Sequence, residues 1–453
     1  MPASPLLVGC ATGFSGDRTD GVPAVVDALI QGGGGTLIFE TLAERTLALA
    51  QLARNQDPEA GYEPLLDELM RPCLPAVAAG AVKVVSNFGA ANPPAAARRI
   101  AALAREAGQP VPRIAIIEGD ALQAPQLRDL LRERVGPEFD RLDVVSANAY
   151  LGAGPIAEAL QAGAQIVVAG RVADPSLTVG PALAHFGWRE DDWPRLGRAT
   201  MAGHLLECGT QATGGYFCVP GLKDIPQPDA PGFPLAEIDA DGGFTVTKPA
   251  GTGGCVDLRT VKEQLLYEVH DPAAYLTPDV TADLSGARAE QVEPDRVAVH
   301  GITGRERPAE LKVNICHRGG WLAEAEISYA GVQAQARAAL AGEIVRKRLA
   351  GALKLRIDLI GAVSIFGDDD GRLLSAAVAA PAVARDVRLR VAGTHAERAV
   401  AERVLREVTA LYTCGPAGGG GVRTALRPRL NMISTTIARE AVQPRWRFLE
   451  DAP

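Results

Sequence analysis

The stretch VKVVSNFGAANP, Val82–Pro93, decides how the first half of the chain folds. It opens on a short β-branched run, Val82–Ser86, that carries apolar side chains on both faces. A loop of small and amide residues follows, and then Ala95–Ala107 repeats its apolar positions with helical period. A strand that hands over to a helix within so few residues is one step of a βαβ unit. The step recurs on either side. Runs at Leu6–Gly9, Thr36–Glu40, Arg113–Ile117, Leu142–Ser146 and Gln165–Ala169 alternate with helical segments. Those segments are Val22–Ile30, Ala43–Arg54, Leu65–Ala79, Ala124–Arg134 and Pro155–Ala162, with Ser176–Phe186 and Ala199–Cys208 beyond them. The alternation predicts an α/β fold, with a mostly parallel, Rossmann-like, doubly wound sheet over residues 1–219. Six runs fall short of the eight strands that close a barrel.

The rhythm changes after that. Residues 220–234, PGLKDIPQPDAPGFP, read as a linker. Residues 235–453 read as an α+β region with Gly-rich loops. Leu235–Ile238 and Phe244–Thr247 flank Asp-Ala-Asp-Gly-Gly and predict a hairpin. A helix is expected at 256–269, with Thr260 and Glu263 as its capping pair. Strands are expected at Leu311–Cys316, Trp321–Tyr329 and Arg445–Leu449.

Composition excludes whole classes of partner. With 46 Lys+Arg against 54 Asp+Glu, the net charge of −8 leaves no excess of cations for a phosphate backbone, so nucleic acid is not expected. No run of about 20 apolar residues is present, so no membrane span is expected. The start of the chain lacks the basic and apolar regions of a signal peptide. The seven Cys are scattered without any C-x-x-C spacing, which predicts a reducing, cytoplasmic setting.

In a parallel sheet, ligands bind beyond the carboxyl ends of the strands. The residues just past each expected strand are rich in charge and amide. They are Asp17, Arg18 and Asp20; Glu40 and Glu44; Asn87 and Asn92; Glu118 and Asp120; Asn148 and Tyr150; and Arg171 and Asp174. Asp17, Arg18, Glu40, Glu118, Asp120 and Asp174 are the candidates for catalysis there. Asp20, Asn87, Asn92, Asn148 and Arg171 are candidates for binding substrate. Asp and Asn in such loops also cap helices, which is the competing reading.

Glycine runs give a second set of candidates. Gly251, Thr252, Gly253 and Gly254 precede an expected helix, whose amide N–H groups would cradle an anion. Gly418, Gly419 and Gly420 exceed what a helix C-cap needs and suggest close approach of a ligand or another subunit. His204 and Cys208 stand four apart, on one helix face with Glu207, as a base and thiol would. No second cluster has metal-ligand spacing, so no metal is expected.

Several ordered stretches resemble the acyclic terpene utilisation (AtuA-like) family. They include Gly13-Phe-Ser-Gly-Asp-Arg18, Ser86-Asn-Phe-Gly-Ala-Ala-Asn-Pro93, Gly170-Arg-Val-Ala-Asp-Pro-Ser176 and Gly203-His-Leu-Leu-Glu-Cys-Gly209. Gly251-Thr-Gly-Gly254, Asp271-Pro-Ala-Ala-Tyr-Leu-Thr-Pro-Asp279 and Gly415-Pro-Ala-Gly-Gly-Gly-Gly421 continue the match along nearly the whole chain. The resemblance implies a role in the breakdown of branched acyclic terpenoids, which proceeds through acyl-CoA thioesters. Longer members carry an extra C-terminal ferredoxin-like module, which this sequence is read as lacking. The resemblance therefore implies either a separate small ferredoxin-fold subunit or a member that works without one.

These readings converge on a catabolic enzyme of lyase or hydratase type. Its partner would be a small-molecule carboxylate or its acyl-CoA ester, handled by sheet-edge carboxylates. No cofactor is expected beyond CoA as part of the substrate, and a homo-oligomer is expected from size. The alternatives are a Cys-dependent hydrolase or acyl transferase built on Cys208, and a non-catalytic assembly subunit.

Overall fold

A computed structural model describes residues 4–122, 125–368, 370–379 and 384–450. Met1–Ala3 of the expected start, Ala124 of the expected helix at 124–134 and Asp369 lie outside the described residues. The chain forms two compact units, one of residues 1–316 and 432–453, the other of 317–431.

The first unit is built on five parallel strands. These are β1 (Leu6–Cys10), β2 (Gly35–Phe39), β3 (Val82–Ser86), β4 (Ile114–Glu118) and β6 (Ile166–Ala169), with β5 (Val144–Ala149) between the last two in sequence. Their near-continuous Val, Ile and Leu content is that of strands buried on both faces. Helices cover both. Leu37, Val84, Ile116 and Val168 pack on α1 (Val22–Gln31), α3 (Leu66–Met70), α4 (Leu74–Ala78) and α5 (Pro93–Glu106). Val8, Val85, Ile117 and Val167 pack on α7 (Gly154–Gln161), α8 (Ser176–Phe186) and α9 (Trp193–Glu207). The remaining helices of this half are α2 (Glu44–Gln56) and α6 (Pro125–Val135). Pro75 stands in the first turn of α4, where the missing N–H is harmless, and the expected single helix at 65–79 is two short ones.

The strand order corrects the Rossmann-like expectation. The sheet runs β11-β12-β8-β7-β1-β2-β3-β6-β4-β18, and its parallel core is therefore β1-β2-β3-β6-β4, not the 3-2-1-4-5-6 of that fold. The flanks are antiparallel. They comprise β7 (Leu235–Ile238), β8 (Phe244–Thr247), β11 (Arg288–Glu293) and β12 (Arg296–His300) on one side, and β18 (Arg445–Phe448) on the other. A small sheet of β9 (Tyr275–Leu276), β10 (Thr281–Asp283) and β13 (Thr303–Arg305) stands apart.

β5 leaves the parallel sheet and pairs with β14 (Glu310–Ala330). Its alternate residues Ser146 and Asn148 are polar and buried. Between two wholly apolar strands they would lack partners, at a cost of about 1–3 kcal/mol each. The expected linker at 220–234 does not separate two regions, since β7 pairs with β1 along Leu6–Gly9. The expected hairpin is present, with Leu235 opposite Thr247. Helix α10 (Leu258–Leu266) is capped by Asp257, whose carboxylate accepts from the Arg259 and Thr260 amides, so the capping pair is Asp257 and Thr260.

The second unit holds most of β14, then α11 (Ala334–Arg348), β15 (Leu355–Ile360), α12 (Arg372–Ala379), β16 (Asp386–His395), α13 (Arg398–Ala401), α14 (Arg403–Cys414) and most of β17 (Gly420–Ala438). Its sheet order is β15-β16-β14-β17. With α11 and α14 as the crossovers, this is a βαββαβ, ferredoxin-like order. This ferredoxin-like unit stands inside the chain, at residues 317–431. Strand alternation explains its two faces. Ala323, Ala325, Ile327 and Tyr329 are buried against α11 and α14, while Glu326 pairs with Arg388 at 2.9 Å and Arg390 with Asp358 at 2.7 Å.

Candidate functional site

Five loops at the carboxyl ends of β1, β2, β3, β4 and β6 carry the expected candidates, and the structure sorts them into supports and reactive groups. Asp17 is a support. Its two oxygens accept from the Gly13 and Arg18 amides at 2.8 and 2.7 Å. Arg18 closes a bidentate pair with Asp20 at 2.9 and 3.1 Å. Asn92 caps α5 and donates to the Pro58 and Ala60 carbonyls at 2.8 Å each. Asn148 donates to Asp120, which also accepts from the Arg171 amide. Glu118 faces Arg447 of β18 at 3.4 Å.

Gly13 is needed for close approach. A Cβ there would lie 2.7 Å from the carbonyl carbon of Cys208 and 2.9 Å from its oxygen. We expect Gly13→Ala to destabilise the first unit by about 1–3 kcal/mol through overpacking. Urea denaturation checks it, and an unchanged midpoint would show that the loop yields freely.

The centre of the site is Arg171, whose relative exposure is 1%. Its Nε donates to the Val172 carbonyl at 2.8 Å, and its terminal nitrogens reach the carbonyls of Val172 and Leu42 and the carboxylate of Asp174. The guanidinium carbon lies 4.5 Å from the Tyr150 ring centroid. The guanidinium is therefore held by three acceptors of the protein, the Val172 and Leu42 carbonyls and the Asp174 carboxylate, and it organises the site.

Three carboxyls surround this one cation. Glu40 comes from the end of β2, with one oxygen held by the Leu42 amide at 2.8 Å and the other by Asn87. Asn87 is itself fixed by Thr41, which donates from backbone and hydroxyl at 2.9 and 3.0 Å. Asp174 follows β6, and Glu207 ends α9. Burial, then the charge of Asp174, pushes Glu40 well above the usual carboxylate range. The same two causes push Glu207 up. Burial raises Asp174 too, against the pull of Arg171. One guanidinium cannot neutralise three crowded carboxylates, so the surroundings favour their protonated forms.

Beside Glu207 stands His204, buried, with Nε2 3.1 Å from the Gln264 carbonyl oxygen and Nδ1 3.1 Å from Glu207 Oε1. The Tyr275 hydroxyl lies 3.5 Å from the same Nδ1. Neither ring nitrogen is directed at Cys208. Burial, then Glu207 and Glu268, pushes the Cys208 thiol up and away from the thiolate a nucleophile needs.

The sequence pointed to Glu44 and Tyr150 of the rim, just past expected strands, but not to Lys312 and Asn314. Tyr150 donates to Glu44 at 3.0 Å and accepts from Asn314 at 2.7 Å. Lys312 lies 4.6 Å from the Tyr150 ring centroid and 3.4 Å from Glu44, with 52% of its side chain exposed. Asp174 is the member of the carboxyl cluster that opens to this side, with 33% side-chain exposure. Lys312 and Asn314 sit on β14, where polar residues alternate with the buried Leu311, Val313 and Ile315. That alternation was the available signal.

Two glycine sets have structural uses of their own. Gly253 and Gly254 donate their amides to the Ala230 and Pro226 carbonyls, and Thr252 donates to Pro249, so the expected anion cradle is filled by the chain itself. Gly251 turns with φ of +76°, and α10 begins only at Leu258, so no helix N-terminus faces the run. Gly418, Gly419 and Gly420 belong to the second unit, where a Cβ on Gly419 would meet Ile327 and Tyr329 at 2.9 and 3.0 Å. Close approach to β14 of the same unit accounts for that glycine.

Among the described residues, no group of three or more His, Cys, Asp or Glu side chains is placed to hold a metal ion. Among them, too, no helix is long and apolar enough to cross a membrane. No curated protein gives a significant match to the chain. The sequence model of the acyclic terpene utilisation family protein AtuA does match, over residues 6–448. The carboxyl cluster, the Gly13 turn and β18 all fall inside that span, and the chain belongs to the acyclic terpene utilisation family.

Proposed function

We propose that the chain is an enzyme of acyclic terpene use that acts on a small branched carboxylate or its acyl-CoA ester by acid–base chemistry of the lyase or hydratase kind. The observation that carries this reading is the set of three carboxyls, Glu40, Asp174 and Glu207, gathered around Arg171 at the carboxyl edge of the parallel strands. Addition or removal of water beside a carbonyl needs one group to take a proton and another to give one. Carboxyls whose surroundings set them apart supply both. Asp174 touches the guanidinium and opens to the rim, so it is the one that ionises and serves as base. The more enclosed members retain their protons.

With Arg171 engaged, the exposed ammonium of Lys312 takes over the binding of a substrate carboxylate or thioester carbonyl. The seven Cys are free and suit a reducing cytoplasm, which belongs to the same reading. So does assembly into a homo-oligomer.

The first test is a thermal-shift screen with branched short-chain acids and their CoA esters, in which ligands of the folded state raise Tm. Turnover of the ligands found should fall about 10²–10⁴-fold in Asp174→Asn and Glu40→Gln, as for other acid–base groups. Full turnover in both folded variants would end the sheet-edge reading. A screen with no small-molecule shift, but a shift with a protein partner, would make the chain an assembly subunit instead.

A further inference from the structure

The hydrogen bonds of His204 fix where its proton lies. A carbonyl oxygen only accepts, so the 3.1 Å contact with Gln264 requires a proton on Nε2. In a neutral ring Nδ1 is then a bare acceptor. Its partner at 3.1 Å, Glu207 Oε1, lies nearer than the Tyr275 hydroxyl at 3.5 Å and supplies the proton. The other arrangement is an imidazolium beside a carboxylate. That would bury two more charges among those of Asp174, Arg171 and Glu268, which face the pair from neighbouring elements, with the proton-bearing Glu40 close enough to feel Glu207 as well. Cys208 and Tyr275 complete the surroundings without adding a cation. Glu207 Oε2, meanwhile, is buried and has no hydrogen-bond partner among the described residues. A buried oxygen of this kind costs about 1–3 kcal/mol when left unmatched, more if charged.

We propose that Glu207 and His204 form a neutral acid–imidazole pair that relays protons, with Oε2 as its working end. This rests on the acid–base reading of the site. In the forward direction the proton that Asp174 takes from the substrate passes on to Oε2, while the proton on Oε1 passes to Nδ1. The carboxyl stays neutral, its proton now on the other oxygen, and the imidazole becomes imidazolium. The charge on the ring balances the negative charge left on the substrate. Asp174 and Glu268 favour that cation as it forms. The reverse transfer returns the proton to product or water. Burial agrees with the resting state, since it lowers the imidazole to about 4 and raises Glu207. His204 touches no substrate in this scheme and is a positioning and storage residue for Glu207.

The resting state is tested without any substrate. In protein labelled with nitrogen-15 histidine, the His204 signals are those that vanish in His204→Gln. At pH 7 they should show one protonated nitrogen, Nε2, and one bare nitrogen, Nδ1. A ring protonated on both nitrogens would overturn the proposal. Should His204→Gln fail to fold, the infrared difference between wild type and Glu207→Gln decides the same point. It should contain the carbonyl stretch of a protonated carboxyl, and a carboxylate band in its place would overturn the pair. The relay is tested on ligands that the wild type turns over. Glu207→Gln keeps the hydrogen bond to Nδ1 but cannot pass a proton, so turnover should drop at least 100-fold with the thermal shift by ligand retained. Turnover within threefold of wild type would overturn the relay. A wild type that binds and converts nothing in the screen refutes the acid–base reading, while the magnetic resonance result still stands for the pair.

Discussion

Replacing Arg171 by methionine will cost the first unit about 3–5 kcal/mol, the range seen when one partner of a buried ion pair is removed. Methionine matches the length of the stem but leaves Asp174 without its cation and the carbonyls of Leu42 and Val172 without their donor. It also uncovers the face of Tyr150. The double variant Arg171→Met with Asp174→Leu should recover a large part of the loss, because it removes the unpaired charge as well. Urea denaturation of the three proteins measures both effects. A single variant within about 1 kcal/mol of wild type would mean that the guanidinium is not the hub of this edge.

The second large effect is on pH dependence. Burial lowers His204 from 6.5 to about 4. Between those values the unfolded chain takes up a proton that the folded one refuses. Stability therefore falls as pH drops from 6.5 toward 4, by on the order of 3 kcal/mol from this group. Glu40 and Glu207 act in the opposite sense. Their folded values are raised, so their contribution is fully present below the unfolded value and is lost as pH rises through the folded one. Subtraction isolates the histidine. The stability difference between wild type and His204→Gln, measured at several pH values, should slope in the window from 4 to 6.5 and flatten above it. Trp321 lies in the second unit, so a Trp321→Phe background leaves fluorescence to Trp188, Trp193 and Trp446 of the first. Parallel curves for the two proteins would show that the ring is not held neutral.

Much of the fold could be read because its signals are local. Val82–Ser86 and its relatives are continuous apolar runs, and the 235–247 hairpin announces itself through its turn. Strand order is not local. Nothing in Ile166–Ala169 says that it lies between β3 and β4, and β5 departs because of what would have surrounded Ser146 and Asn148. The same division holds for the site. Arg171, Asp174 and Glu40 were visible as charged residues just past apolar runs. The pairing of His204 with Glu207 was visible as an i, i+3 spacing, but Gln264 enters through its backbone carbonyl, which has no sequence signature. Cys208 looked reactive until its burial was known. Asp17, Asn92 and Gly253 carry the residue types of a binding loop, and they use their hydrogen bonds to hold the loops themselves.

The pairing of β18 with β4, Phe448 against Ala115 through Arg445 against Glu118, has a consequence for the order of synthesis. The ribosome makes β4 early and β18 only after all of residues 317–431 have emerged. Until then the nascent first unit displays the open rim of β4, with free amide and carbonyl groups that invite a stray strand. The ferredoxin-like unit has no such wait, since β14 through β17 are complete before β18 appears. The chain thus folds its middle before it can finish its beginning, and the interval is when a chaperone has most to shield.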